Sequence, residues 1–232
     1  MGTERDVDAS VAVLLDIDGT LVDTNYFHAL AWYRAFRQEG HPITVTELHR
    51  RIGMGGSEML DAVLPERDRD RDDVLKAAHT EHYSAFVGLM RPLPGAPDLL
   101  RSLHRRGARV VLATSAPPDE LEALRRVLDV EDALTAVTSA ADADNAKPEP
   151  DILTAALDAA GVPAGDAVMV GDSRWDVLAA RNAGLGCVGV LTGGISRAEL
   201  DDAGALAVYD DPAALLDDLE NSPIGRLLRR SE

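Results

Sequence analysis

Two aspartates separated by one residue follow an apolar run near the start of the chain. Residues 11–15 have the composition of a buried strand, and Asp16 and Asp18 come directly after them. Side chains two apart in an extended segment point to the same side, so both carboxyl groups can converge while Ile17 turns into the core. Two carboxyl groups with different pKa values can supply a nucleophile and a proton carrier. A solvated turn at a strand end is the structural alternative.

Small and hydroxyl-bearing residues accompany two of the predicted strand ends. Gly19 and Thr20 follow the aspartate pair, and a glycine lets the backbone approach a ligand closely. Thr114 and Ser115 follow the predicted strand at residues 110–113, at the carboxyl edge where open α/β sheets bind ligands. Helix capping or turn formation would explain these hydroxyl groups equally well.

A second pair of aspartates follows another apolar run, at residues 168–170. Asp172 and Asp176 are four apart, so both can lie on one helix face if a helix begins near Ser173. Mg²⁺ prefers oxygen ligands of this kind and often takes one or two carboxylates. Helix capping by Asp172 or Ser173 is the structural alternative.

Lysine is rare in this chain. Only Lys76 and Lys147 occur, and Lys147 precedes Pro148, which favours extended backbone at the lysine. A single lysine is usually exposed to solvent, so Lys147 by itself indicates little.

Apolar runs bounded by Gly, Pro or Asp alternate with helical patterns in the C-terminal half. Such alternation predicts a parallel sheet with helices on both faces. The predicted strands after the first are residues 110–113, 134–137, 168–170, 187–191 and 205–209.

The segment 23–92 interrupts this alternation, because it has helical patterns and no convincing strand. Pro92, Pro94 and Gly95 mark its end, since they cannot continue a helix. We predict an α/β core domain, residues 1–22 and 93–232, with a Rossmann-like, doubly wound parallel sheet. Residues 23–92 are predicted to form an inserted α-helical cap domain.

The charge balance disfavours several partners. The chain has 40 acidic and 23 basic residues, a formal net charge of -17 and 46% hydrophobic residues. Its field repels nucleic acid and membrane surfaces, and we expect neither as a partner. A phosphate ester would also be repelled, so a phosphate site needs a local cation, and a divalent metal is the natural candidate.

The composition also favours a reducing cytoplasm. The single cysteine, Cys187, cannot form an intramolecular disulfide and lies in an apolar run. Glu4, Arg5, Asp6 and Asp8 precede the first apolar run, which is too short for a signal peptide or a membrane span. Nothing in the sequence specifies an oligomeric state.

Four groups of residues occur in an order that resembles the motifs of the haloacid dehalogenase-like hydrolases. They are Asp16 to Thr20, Thr114, Lys147 with Pro148, and Gly171-Asp172 with Asp176. The predicted insert lies where the first subclass of that superfamily carries its helical cap. Phosphoglycolate phosphatases and β-phosphoglucomutases are the members with a similar pattern.

This resemblance implies a Mg²⁺-dependent phosphatase that hydrolyses a small phosphorylated metabolite. Asp16 would attack phosphorus and form an aspartyl phosphate. Asp18 would protonate the leaving group and later deprotonate water. Thr114 and Lys147 would hold the phosphoryl oxygens, and Lys147 would also offset the charge of Asp16.

The resemblance also implies further ligands of the metal and the substrate. Mg²⁺ would be held by Asp16, the backbone carbonyl of Asp18 and Asp172, with Asp176 supporting through water. The substrate would be bound by Gly19, Thr20, Thr114, Ser115 and Lys147.

Three alternatives remain beside the phosphatase. A sugar-phosphate mutase is disfavoured because Gly56 or Ser57 stands where mutases carry an arginine for the distal phosphate. Phosphonate-cleaving relatives use a cap lysine, and only Lys76 could serve. The third is a non-catalytic binding protein.

Dehalogenases lack the second aspartate, so Asp18 favours phosphoryl chemistry. The Gly-rich residues 53–57 form either a specificity loop or a turn between helices, and His28 would support the cap hinge or Asp16.

Overall fold

A computed structural model describes residues 11–230 of the chain. Residues 1–10, including Glu4, Arg5, Asp6 and Asp8, and residues 231–232 lie outside the described residues, together with the parts of the predicted core domain that fall there. The described chain forms one sheet of parallel strands in the order β3-β2-β1-β4-β5-β6. The strands are β1 (Ala12–Leu15), β2 (Arg109–Ala113), β3 (Ala136–Thr138), β4 (Ala167–Gly171), β5 (Gly186–Val190) and β6 (Ala207–Tyr209).

Helices cover both faces of this sheet, because successive residues of a strand point to opposite sides. Val13 and Leu15 belong to a buried cluster with α5 and α6, whereas Ala12 and Leu14 belong to another with α7 and α8. The predicted Rossmann-like, doubly wound α/β fold is confirmed. The helices around the sheet are α5 (Ala96–Arg105), α6 (Pro118–Leu128), α7 (Asp151–Ala160), α8 (Arg174–Asn182), α9 (Arg197–Ala203), α10 (Pro212–Asp217) and α11 (Pro223–Leu228).

Two strands begin two residues later than the sequence predicts. Before β3, the amide of Leu134 closes a 3₁₀ turn by donating to Glu131. Before β6, Gly204 has a φ of 104° and the amide of Ala205 donates to the carbonyl of Leu200, which ends α9. In both places the preceding turn uses backbone donors that the predicted strand would need.

The segment between β1 and α5 is helical throughout its regular structure. Its helices have their own buried cluster, which includes Trp32, Phe36, Leu48 and Met59. The predicted cap domain at residues 23–92 stays a prediction that this separate cluster supports. The helices are α1 (Asn25–Gln38), α2 (Val45–His49), α3 (Gly56–Val63) and α4 (Asp72–Ser84).

The two connections between this helical segment and the sheet run side by side. The amide of Asp23 donates to the carbonyl of Arg91 at 3.1 Å, and the amide of Leu93 donates to the carbonyl of Leu21 at 2.8 Å. The segment therefore begins and ends at one point beside the carboxyl end of β1. Among the described residues, no helix is both long and apolar enough to cross a bilayer.

Candidate active site

The polar residues after β1, β2 and β4 meet at the centre of the sheet. Strand order reverses at β1, which lies between β2 and β4, and such a reversal leaves a crevice at the carboxyl ends of the strands. Asp16 follows β1, Thr114 follows β2 and Asp172 follows β4, and all three are buried. A cavity of about 470 Å³ opens there between the sheet and the helical segment.

Lys147 connects two of the predicted acids. Its Nζ lies 2.8 Å from Oδ1 of Asp16 and 2.8 Å from Oδ1 of Asp176, and the lysine is only 1% exposed. Although burial opposes it, the two carboxylates raise the pKa of Lys147, so the side chain is a cation. A single lysine is usually exposed to solvent, but Lys147 is the positive centre of a buried ion cluster.

Three aspartates form a buried acidic cluster beside this lysine. Asp16, Asp172 and Asp176 each offer a carboxylate oxygen, and these oxygens lie within 4.8 Å of one another. Burial raises the pKa of Asp16 to about 7, against the opposing effect of Lys147. Burial, together with the charges of Asp176 and Asp16, raises the pKa of Asp172 well above its ordinary value.

These shifts are what a cation site requires, because one lysine does not balance three buried carboxylates. The oxygen-only donor set fits Mg²⁺. Asp172 is already oriented, since it accepts hydrogen bonds from Thr20 Oγ1 and Asn25 Nδ2, both at 2.8 Å.

Asp176 combines the two roles that the sequence leaves open. Ser173, not Asp172, is the N-cap of α8, and the carboxylate of Asp176 accepts from the backbone amide of Ser173 at 3.0 Å and from its hydroxyl at 2.6 Å. That capping box uses Oδ2, whereas Oδ1 faces Lys147. Helix capping therefore fixes the carboxylate that the ion cluster uses.

Asp18 lies apart from the acidic cluster and contacts the helical segment instead. Its Oδ1 accepts from Thr24 Oγ1 at 2.7 Å and pairs with His28 Nε2 at 3.2 Å. Although burial opposes it, the pair with His28 and the hydrogen bonds from His28 and Thr24 lower the pKa of Asp18. The pKa of His28 is raised by Asp18, again against the effect of burial. Both shifts favour the ion pair of a carboxylate on Asp18 and a protonated His28.

The two hydroxyl residues after β2 are ready to donate. Thr114 Oγ1 accepts a hydrogen bond from the amide of Ala116 at 3.1 Å, and its own proton has no acceptor among the described residues. Ser115 Oγ is buried and has no hydrogen-bond partner within residues 11–230. Both residues line the cavity, together with Asp16, Asp18 and Lys147. A phosphoryl oxygen would satisfy both hydroxyls.

Gly19 and Thr20 are predicted as substrate ligands, and the structure gives them another position. Thr20 is fully buried, does not line the cavity and donates its hydroxyl proton to Asp172. Gly19 has a φ of 72°, and its Cα faces Asn25 so closely that a Cβ would lie 2.3 Å from the amide nitrogen. Thr20 therefore orients Asp172, and Gly19 packs against Asn25, another partner of Asp172; their contact with substrate stays a prediction.

Sequence reasoning missed several polar residues of this site. Asn25 contacts Asp172, and its Oδ1 is buried without a partner among the described side chains. Glu120 lines the cavity, and burial raises its pKa to about 7. His79 contacts His28, with 3.2 Å between ring nitrogens. A polar residue at the start of α1 could have indicated Asn25, whereas Glu120 is indistinguishable from an ordinary acid in a first helical turn.

Comparison with known proteins assigns the family. A family model described as haloacid dehalogenase-like hydrolase matches residues 11–184. The chain belongs to this family. This haloacid dehalogenase-like hydrolase is 34% identical over 217 residues to a phosphoglycolate phosphatase from Rhodospirillum rubrum, an alignment that covers 89% of each protein. It is 33% identical to a phosphorylated carbohydrates phosphatase from Thermotoga maritima, over 85% of this chain and 93% of the relative.

The fold of this haloacid dehalogenase-like hydrolase also occurs in solved structures. The crystal structure of a hydrolase from Pseudomonas syringae superposes with a TM-score of 0.87 at 33% identity, covering 91% of this chain and 99% of the other. Because these relatives are named phosphatases and hydrolases, the predicted class of enzyme, a phosphoric monoester hydrolase of this family, is confirmed.

Proposed function

We propose that this protein is a Mg²⁺-dependent phosphatase that hydrolyses a small phosphorylated metabolite through an aspartyl phosphate on Asp16. The observation that carries the proposal is the buried contact of Lys147 with Asp16, beside an acidic cluster that opens into a cavity with free hydroxyl donors. The lack of nucleic-acid and membrane partners belongs to the proposal and is supported by the charge of -17. A cytoplasmic location also belongs to it and is supported by the single, buried cysteine.

The first step uses Asp16 as the nucleophile. A carboxylate oxygen of Asp16 bonds to phosphorus while the bond from phosphorus to the leaving oxygen breaks. Lys147, 2.8 Å from the same carboxylate, keeps it in place and offsets its charge as the phosphoryl group approaches. Thr114 and Ser115 donate hydrogen bonds to the phosphoryl oxygens. Asp16, the backbone carbonyl of Asp18 and Asp172 would hold Mg²⁺, with Asp176 supporting through water; the ion supplies charge neutralisation at the phosphoryl group.

Protons move through the pair of Asp18 and His28. The leaving oxygen takes a proton from this pair, so the alcohol departs neutral. Asp18 then accepts a proton from a water molecule that attacks the aspartyl phosphate. Inorganic phosphate leaves and Asp16 returns to its starting state, with one water consumed.

An Asp16→Asn variant tests this proposal. With p-nitrophenyl phosphate as substrate, we expect Mg²⁺-dependent phosphate release that EDTA abolishes and that falls below about one-thousandth of the wild-type rate in the variant. Asp201→Asn, an exposed acid of α9, is the matched control and should keep full activity. Undiminished phosphate release by Asp16→Asn would place the nucleophile elsewhere.

Product analysis distinguishes the phosphatase from a mutase and from a non-catalytic binding protein. A sugar-phosphate mutase would convert a sugar 1-phosphate to its isomer without net release of inorganic phosphate. A non-catalytic binding protein would turn over neither compound. Acid-quenched enzyme that retains radiolabelled phosphate, with no label on Asp16→Asn, is the result expected for an aspartyl phosphate.

A further inference from the structure

The cavity has an acidic lining beyond the residues of the proposed phosphoryl chemistry. Glu58 of α3, Glu120 of α6 and Asp144 face it from three different parts of the chain. Within the described part of the chain, none of these carboxyl groups has an ion pair or a hydrogen bond. Apart from Lys147, the lining holds one lysine, Lys76. Beyond the residues of the proposed phosphoryl chemistry, the lining therefore carries three acids against one amine.

Glu120 interacts with the proton-carrying pair of Asp18 and His28. It lies in the first turn of α6, five residues after Ser115, and is only partly exposed. Its carboxyl group interacts electrostatically with both His28 and Asp18. Those two residues deliver the proton to the leaving oxygen in the proposed mechanism, so Glu120 faces the part of the substrate next to the bond that breaks.

A half-buried carboxylate without a protein donor accepts hydrogen bonds from its ligand. Hydroxyl groups supply such donors, whereas a second carboxylate or phosphate would be a like charge. Because burial raises the pKa of Glu120 only to about 7, the group is ionised in mildly alkaline solution.

Lys76 does not reverse this charge balance. Its Nζ donates to Ser57 Oγ at 2.8 Å, and its Cε would lie 3.8 Å from a Cβ on Gly56, so the amine is held against the first turn of α3. Glu58 belongs to that same turn and also lines the cavity. The positive charge on this wall therefore has an acid beside it.

We infer that the cavity selects phosphate esters whose leaving group carries hydroxyl groups and no second negative charge, with Glu120 as the residue that determines this specificity. The inference rests on the proposed phosphatase function and adds the class of its substrate. A cavity of about 470 Å³ has the size of a site for a polyol or sugar phosphate.

A matched pair of esters tests the inference. Glycerol 3-phosphate and 3-phosphoglycerate share a three-carbon skeleton and differ in one terminal group, hydroxymethyl or carboxylate. Each is measured with Mg²⁺ near pH 8, as a substrate or, where turnover is slow, as a competitive inhibitor of p-nitrophenyl phosphate hydrolysis. We expect the wild-type protein to prefer glycerol 3-phosphate by at least about tenfold, in kcat/KM or in the inhibition constant.

Glu120→Gln should reduce that preference at least tenfold, by strengthening the binding of 3-phosphoglycerate as well as weakening that of glycerol 3-phosphate. A merely structural defect would weaken both. Glu122→Gln is the matched control, because Glu122 lies on the same helix, is 71% exposed and does not line the cavity. Glu122→Gln should leave kcat/KM, or the inhibition constant, unchanged for both esters.

Three results would overturn the inference. One is that the wild-type protein does not discriminate between the two esters. Another is that Glu120→Gln keeps the wild-type preference for glycerol 3-phosphate over 3-phosphoglycerate. The third is a preference for 3-phosphoglycerate that Lys76→Met abolishes, which would assign the cavity to a second anionic group. If Asp16→Asn still hydrolyses p-nitrophenyl phosphate, the proposed function itself fails. Asp16-dependent hydrolysis with no ester preference rejects the specificity alone.

Discussion

Replacing Asp16 by asparagine should stabilise the metal-free protein at neutral and alkaline pH. Burial raises the pKa of Asp16 from its ordinary value of 3.8 to about 7, so the folded protein binds this proton more tightly than the unfolded chain does. Ionised Asp16 therefore lowers the stability of the fold. Asparagine has the shape of the protonated side chain and cannot ionise, so the variant avoids that cost.

The size of the effect follows from the two pKa values. At about 1.4 kcal/mol for each tenfold difference in proton affinity, the cost of ionised Asp16 approaches about 4 kcal/mol above pH 7. Below about pH 4 the side chain is protonated in both states, and the variant and the wild type should be equally stable. The difference should grow steadily between these limits.

Urea unfolding in EDTA, near pH 4.5, 6 and 8, measures this difference. Asp18→Asn is the matched control with the opposite sign, because the pKa of Asp18 is lowered by its contacts with His28 and Thr24. Asp18 therefore contributes stability above its ordinary pKa that is lost in acid, and its replacement should destabilise the protein near pH 8 by about 1–3 kcal/mol. An Asp16→Asn variant no more stable than wild type at pH 8, or a difference independent of pH, would refute the reasoning.

Three further predictions concern the same site. Lys147→Met leaves buried carboxylates without their cation and should destabilise the protein by about 3–5 kcal/mol in urea unfolding near pH 8, whereas Lys76→Met should change stability by less than about 1 kcal/mol. His28→Gln should destabilise more near pH 6 than near pH 9, because the raised pKa of His28 supplies stability below its ordinary pKa that is lost as the pH rises through the folded value; equal losses would contradict this. Gly171→Ala would place a Cβ 2.4 Å from that of Asp176 and should weaken Mg²⁺ binding in calorimetry, whereas Gly165→Ala, with open space around it, should bind as wild type does.

Local sequence patterns were sufficient to predict the strands of the sheet and the aspartates at its carboxyl edge. The buried strand before Asp16 and the one before Asp172 have unambiguous composition, and strand ends in a parallel sheet share one edge. The predicted first residues of strands were less accurate where a preceding turn uses the backbone amides, as it does at Leu134 and Ala205. Such turns depend on hydrogen bonds that leave no clear compositional pattern.

The environment of single side chains could not be predicted in the same way. From its residue type alone, Lys147 would be expected on the surface. Only the return of the chain after β3 brings its amine between Asp16 and Asp176. Thr20 was expected to contact substrate, yet its hydroxyl turns to Asp172. Glu120 gave no signal, because its importance arises from a cavity formed by segments far apart in sequence.

The paired connections at Leu21 and Leu93 have a consequence for how the chain tolerates change. Since the amide of Leu93 donates to Leu21 at 2.8 Å, the two ends of the helical segment are already adjacent when the sheet is formed. Lengthening or shortening the polypeptide between them alters only a weakly length-dependent entropy of ring closure. The length of the helical segment can therefore vary, provided that Thr24, Asn25 and His28 at its start keep their contacts with Asp18 and Asp172.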